Sequence, residues 1–169
     1  MSSAQSTPRP VRAAAVTQIT RVLLWAALVL FVLSLFLPSV SRQQNFRLDL
    51  WCKAPEWSPG WPAFLLGPLG VLDGQFGWFA NPLMLFAASM KSRKSGFALA
   101  AAALSAALAA VALVVITAFL YTSERVDGGV GITVCGFGPG YYLWLACSVL
   151  VLIATLVKVA KRFDALRQE

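Results

Sequence analysis

Four long apolar segments dominate this sequence and restrict what the chain can fold into. A transmembrane helix needs about 20 mainly apolar residues, and the polar stretches between the four segments are too short for a soluble domain. We therefore predict an all-α integral membrane protein, a four-helix bundle. The predicted spans cover about residues 21–40, 72–90, 96–121 and 141–158 of a membrane domain at 21–162, between a flexible basic cytoplasmic arm at 1–20 and a cytoplasmic tail at 163–169.

The composition agrees with a lipid environment. Of the 169 residues, 59% are hydrophobic and 12% are charged, whereas soluble domains are about half apolar and one quarter charged. A core of this size cannot hold that excess, so much of it must face lipid. The net charge of +7 would fit a nucleic-acid ligand in a soluble protein. Here the lysines and arginines are concentrated in the segments on one side of the predicted membrane. This distribution indicates membrane orientation and argues against nucleic-acid binding.

Lysine and arginine divide unequally between the two predicted sides of the membrane. Ten lie on the side of the termini and only four on the other, and the positive-inside rule then places both termini in the cytoplasm. The short chain and loops are typical of a multi-pass protein of the bacterial inner membrane. The ten are Arg9, Arg12, Arg21, Lys91, Arg93, Lys94, Lys158, Lys161, Arg162 and Arg167; the four are Arg42, Arg47, Lys53 and Arg125.

The first apolar segment has a second interpretation. A basic arm, an apolar run and the small residues Ser39, Val40 and Ser41 also fit a cleaved signal peptide. The apolar run of about 16 residues exceeds a typical signal core, and the preceding arm is long. We expect a retained first helix.

The second segment is too long for one straight helix. Trp61 to Met90 would span roughly 45 Å at 1.5 Å per residue, against a hydrocarbon core of about 30 Å. Counting back from Lys91 starts the membrane helix near residues 71–74, and Gly67, Pro68 and Gly70 break the chain just before. Residues 62–72 are then predicted to form a short helix, either interfacial or re-entrant against protein.

Three polar residues in this segment form a candidate membrane site: Asp73, Gln75 and Asn81. Asp73 fits a carboxylate at a helix start, and the alternative is an intramembrane proton or cation site. Asn81 precedes Pro82 near the predicted middle of the membrane, where proline should kink the helix. We expect Asn81 to contact a neighbouring helix; the alternative is a polar group that lines a substrate path.

The three cysteines differ in predicted environment. Cys52 and Cys135 fall in the two outer loops, where an oxidising compartment favours a disulfide between them. Cys147 lies within the fourth predicted helix and is interpreted as an inert apolar side chain. A thiol oxidant would need a Cys-x-x-Cys motif or two loop pairs, and neither is present.

A short pattern recurs after both outer cysteines. Each is followed by Pro-Gly-aromatic directly before a membrane segment, as Pro59-Gly60-Trp61 and Pro139-Gly140-Tyr141. The pattern fits two related halves of a repeat. Independent selection of Pro-Gly turns is the alternative, because no further match extends into the helices.

The third segment is rich in alanine, which lets helices approach closely in lipid, so we expect it to pack centrally or against a second protein. No histidine, phosphate-binding loop or nucleophile elbow occurs. We therefore expect no catalytic, cofactor or metal site.

The predicted function is protein contact, as an accessory subunit, assembly factor or immunity-type protector. The predicted partners are the lipid bilayer and either a second membrane protein or further copies of this chain. The alternative is a small oligomeric transporter or channel with a path near Asp73 and Asn81.

Overall fold

The computed structural model describes residues 10–45, 56–73, 76–90, 96–121, 125–127 and 130–166. The predicted outer loops lie partly outside these ranges, as does the basic loop after Met90. The elements are α1 (Pro10–Phe36), β1 (Pro38–Asn45), β2 (Glu56–Pro59), α2 (Gly60–Leu66), two 3-10 helices (Gly67–Asp73 and Gly77–Phe79), α3 (Ala80–Ser89), α4 (Phe97–Tyr121), β3 (Arg125–Asp127), β4 (Val130–Phe137) and α5 (Pro139–Leu166).

Three helices in the described part of the chain are long and apolar enough to cross a membrane. The qualifying stretches are Ala15–Phe36 in α1, Phe97–Ala118 in α4 and Pro139–Asp164 in α5. Their length and hydropathy support a membrane protein with several candidate spans. The predicted four-helix bundle is not confirmed, because the second predicted span is not one long helix.

The segment predicted to span at residues 72–90 is built from short pieces. Its regular helix, α3, has only 10 residues, or about 15 Å of helix. A 3-10 turn at Gly77–Phe79 leads directly into α3. The chain leading into this segment contacts the end of α1 at Gly60, while the last residue of the segment, Met90, packs with Val159 near the end of α5. The chain therefore passes from one end of the bundle to the other without a full-length helix, because glycine and proline interrupt it repeatedly.

The short helix predicted before this crossing is present as α2, followed by the first 3-10 helix. The indole Nε1 of Trp78 donates a hydrogen bond to the Phe64 carbonyl at 2.9 Å. The ring of Phe64 also meets Phe31 of α1 edge to face. These contacts fold α2 back against α1 and against the turn that precedes α3.

A four-stranded antiparallel sheet corrects the all-α fold class. The strand order is β2-β1-β4-β3, so the central pair joins the two chain segments that were predicted to be separate outer loops. Val40 pairs with Phe137, and Asn45 pairs with Gly131 at the other end of β1. We call the end of the bundle that carries this sheet the sheet end.

Helix α1 differs from its prediction at both ends. It begins at Pro10, so residues 10–20, predicted to belong to a flexible arm, are helical. It ends at Phe36 rather than near Val40, because Pro38 cannot continue a helix and begins β1 instead.

The bounds of α4 lie within one residue of the third predicted span, and α5 extends beyond the fourth predicted span at both ends.

Helix α5 is the central helix of the bundle, since it packs against α1, α3 and α4. The core around it consists mainly of small side chains, and alanines at 0% exposure occur on α3, α4 and α5. Close approach of helix backbones gives the packing that holds helices together in lipid. The alanine-rich α4 is thus packed within the unit through one face and is not central. The buried residues of that face are Ala100, Ala103, Ala106, Ala107, Ala110 and Val114.

Candidate functional site

The sheet is attached closely to the helices at the sheet end. The Gly138 N–H donates to the Ser39 carbonyl at 2.9 Å, and the Leu37 N–H donates to the Leu33 carbonyl at 3.2 Å. A Cβ added to Gly138 would meet the Pro38 carbonyl and the Trp57 ring. The start of α5 and the end of α1 are therefore joined to β1 at backbone distance.

The repeated Pro-Gly-aromatic pattern has one structural explanation. Gly60 begins α2 and Gly140 lies in the first turn of α5, and both pack on the turn between α1 and β1. A Cβ at either glycine would meet the Ser34 carbonyl and the Ser39 hydroxyl. Both segments therefore dock on the same turn, and the close approach requires a residue without a side chain at each contact.

Aromatic residues surround this attachment point. Tyr141 is buried and donates a hydrogen bond to the Val114 carbonyl of α4 at 2.9 Å. The rings of Trp57 and Tyr142 are 52% and 58% exposed. Trp57 lies on β2, an edge strand of the sheet, and one side of its ring covers Gly138. The sheet end thus presents exposed aromatic surface on a well-anchored base.

The predicted polar membrane site is only partly described. Asn81 accepts a hydrogen bond from Trp144 Nε1 at 3.0 Å, so it joins α3 to α5. Trp144 is the sixth residue of α5, which places the pair within about 10 Å of the helix start at the sheet end. Asn81 is therefore not in the middle of the bundle. Asp73 ends the first 3-10 helix, and Gln75 lies outside the described residues.

Pro82 lies at the third position of α3 and does not interrupt a longer helix. The first N–H groups of any helix have no partner within it, so proline is well tolerated there. The kink predicted at this point is corrected, because the helix begins at Ala80.

The cysteines occupy different surroundings. Cys52 lies outside the described residues, so the predicted disulfide stays a prediction. Cys135 is partly buried on β4. Cys147 is free and buried, and its sulfur lies 4.0 Å from the sulfur of Met84 on α3.

The opposite end of the bundle contains a groove between the first half of α1 and the last turns of α5. Its volume is about 420 Å³, and we call this end the groove end. Polar and cationic side chains meet apolar ones along its length. The lining residues are Val16, Thr17, Thr20, Arg21, Leu24, Trp25, Leu28, Met90, Lys158 and Lys161.

Two lysines in the groove are held by hydrogen bonds from different helices. Lys161 Nζ donates to the Thr17 hydroxyl at 3.0 Å and so joins α5 to α1. Lys158 Nζ donates to the Ala88 carbonyl at 2.8 Å, where the last carbonyls of α3 lack partners within the helix. A cation is also favoured there by the helix dipole.

The sequence pattern did not indicate this groove. It assigned Arg21 and the tail cations to one membrane side, but Arg21 and Lys161 are 140 residues apart. Only the packing of α1 against α5 brings their helices together.

Among the described residues, no three His, Cys, Asp or Glu side chains form a group able to hold a metal ion. Comparison of the chain with models of known families, with curated proteins and with solved structures gave no match.

Proposed function

We propose that this protein acts by contact with another membrane protein, as an accessory subunit, assembly factor or protector, and that the sheet end is the contact surface. The observation that carries the proposal is the sheet itself. It combines two chain segments into one platform, which rests on the turn between α1 and β1 through Gly60 and Gly140. An open strand edge with exposed aromatics is a surface that partner proteins commonly use.

The interior of the bundle also favours contact over transport. Its core is filled mainly by alanine and valine, with one methionine, one tyrosine and one cysteine, and the Asn81 amide oxygen accepts a hydrogen bond from Trp144. A transport path through the same region would need polar groups that face an open channel. The buried hydroxyls of Ser148 and Thr155 bond to carbonyls of their own helix.

The proposed location is the bacterial inner membrane, with the sheet end outside and both termini in the cytoplasm. In support, the start of α1 and the end of α5 meet at the groove end, through Thr17 and Lys161, and cations line that groove. Within this arrangement we propose a Cys52–Cys135 disulfide, which would join the two outer segments in an oxidising compartment.

Native purification in nanodiscs, with mass and co-purifying proteins measured together, tests the proposal. The informative variant is Trp57→Ala at the sheet edge. Its control is Phe86→Ala, because Phe86 is a comparably exposed aromatic on α3 (43% against 52%). We expect a stoichiometric partner protein with wild type and Phe86→Ala, and its loss with Trp57→Ala in protein that still unfolds cooperatively.

A homo-oligomer without a foreign partner would contradict the proposal and favour the transporter. Asp73→Asn and Asn81→Ala should then reduce solute flux in reconstituted vesicles. A contact protein should retain its partner and its fold with Asp73→Asn.

A further inference from the structure

The groove between α1 and α5 is cationic at one end and apolar at the other. Arg21, Leu24 and Leu28 follow one another along the groove-facing side of α1, at spacings of three and four residues. The distance along the helix axis from Arg21 to Leu28 is about 10 Å. The cationic part thus lies towards the chain termini, and the apolar part lies towards the membrane interior.

The apolar part of the groove is open to the surroundings. Trp25 is 62% exposed and Leu28 is 49% exposed. Trp25, Leu28 and Leu24 belong to a stretch of α1 that is apolar enough to lie in a bilayer. Their exposed surfaces are therefore available to an acyl chain.

The cationic part of the groove contains three basic side chains. Three cations, Arg21, Lys158 and Lys161, line it together with no acidic residue. Within the described residues, no carboxylate pairs with Arg21 or Lys158. The hydrogen bond to Thr17 fixes the Lys161 ammonium at the boundary between the two helices. The site thus combines a cationic head position with an apolar wall, as an anionic phospholipid requires.

We propose that this groove binds one anionic phospholipid. Its phosphate contacts Arg21 and Lys161, and one acyl chain lies along Leu24, Trp25 and Leu28. Cationic pockets between transmembrane helices bind acidic lipid headgroups in this manner. A water-soluble phosphate has no apolar part that could contact the apolar wall. The apolar wall therefore favours the lipid as the occupant.

The lipid site is independent of the proposed contact function, because it lies at the opposite end of the bundle from the sheet. Loss of the partner protein would leave it intact. Lipid held here would join the first half of α1 to the last turns of α5.

Quenching of Trp25 by brominated acyl chains tests the proposal. Full-length protein is reconstituted in phosphatidylcholine nanodiscs, and brominated phosphatidylglycerol or brominated phosphatidylcholine is titrated in. Subtracting the signal of Trp25→Phe isolates Trp25 from the other five tryptophans among the six in the chain. We expect Trp25 to be quenched at a several-fold lower fraction of the anionic lipid than of the zwitterionic lipid.

The double variant Arg21→Gln/Lys161→Gln should weaken this preference roughly tenfold or more. Each cation near an anionic membrane surface strengthens binding about fivefold, and the variant removes two. Arg21→Lys/Lys161→Arg keeps the charge and should keep the preference. Arg93→Gln/Lys94→Gln removes two cations that the sequence assigns to the same membrane side, and should leave the preference within about twofold if the groove rather than total charge binds the lipid.

Equal quenching by the two brominated lipids would overturn the proposal. An equal loss of the preference for anionic lipid in Arg21→Gln/Lys161→Gln and in the Arg93/Lys94 control would also overturn it. Excess inorganic phosphate distinguishes the source of the anion. If it abolishes the preference, the site binds free phosphate and the lipid assignment is wrong. We expect it to have little effect.

Discussion

At the scale of single residues, the sheet end depends on places where a side chain is missing. Gly60, Gly138 and Gly140 each lie so close to the backbone at Ser34–Ser39 that a Cβ would overlap it. Sequence reasoning detected the Pro-Gly pattern but could not give its reason. Each glycine lies far from Ser34 in the chain, and only the folded structure shows that both segments meet the same turn.

Gly60→Ala and Gly140→Ala should therefore each lower the free energy of unfolding by about 1–3 kcal/mol, the usual cost of an overpacked site. Gly96→Ala is the control, because a Cβ there meets nothing within 4 Å. Thermal unfolding in detergent, followed by intrinsic fluorescence, measures the three variants. Equal stability of Gly60→Ala and Gly96→Ala would contradict the close packing on Ser34.

At the scale of secondary-structure elements, α4 is rich in alanine both where it is buried and where it is exposed. Its alanines occur on a buried face that contacts α3 and α5 and on an exposed face. The sequence indicated a helix at 96–121 correctly, since hydropathy and length determine a span. It could not separate the two faces, because alanine occupies both and leaves little amphipathic contrast to assign orientation.

Ala107→Leu and Ala109→Leu form a matched pair on this helix. Ala107 is 0% exposed, so leucine there should separate α4 from its neighbours and cost about 1–3 kcal/mol. Ala109 is on the exposed face, so the same change should alter stability by less than about 0.5 kcal/mol. Thermal unfolding in nanodiscs gives both values, and a larger loss at Ala109 would contradict the assignment of faces.

At the scale of the whole molecule, the two ends of the bundle join different parts of the chain. The sheet end joins the segment after α1 to the segment before α5 through the pairing of β1 with β4, and the groove end joins the first and last helices through Thr17 and Lys161. Helix α5 connects the two ends and contacts every other long element. A disulfide between Cys52 and Cys135 would add a covalent link to the pairing of the strands.

Replacement of Cys52 by serine tests this link. If the disulfide forms, wild-type protein should show neither outer thiol to a membrane-impermeant maleimide, while Cys52→Ser exposes Cys135 to labelling. The free energy of unfolding should fall by about 2–4 kcal/mol. Cys147→Ala controls for loss of a thiol, because Cys147 is free and buried. Labelling of two outer thiols in the wild type would exclude the bond.

Sequence alone indicated a membrane protein and located its three long apolar helices. Lipid requires each span to satisfy its own backbone hydrogen bonds over about 20 apolar residues, and that requirement is local. The Asn81 contact to a neighbouring helix was likewise expected from a polar side chain in an apolar segment, although its partner, Trp144, was not.

Tertiary structure decided the sheet, the broken second crossing and the groove. Strand β1 reads PSVSRQQN, without the alternation of apolar and polar residues that marks a strand in sequence. Its pairing joins Ser41 to Gly136 across 95 residues. Likewise, the start of α1 and the end of α5 form one groove only because the helices fold antiparallel to each other. Contacts between distant residues depend on how the whole chain packs, and no local pattern records them.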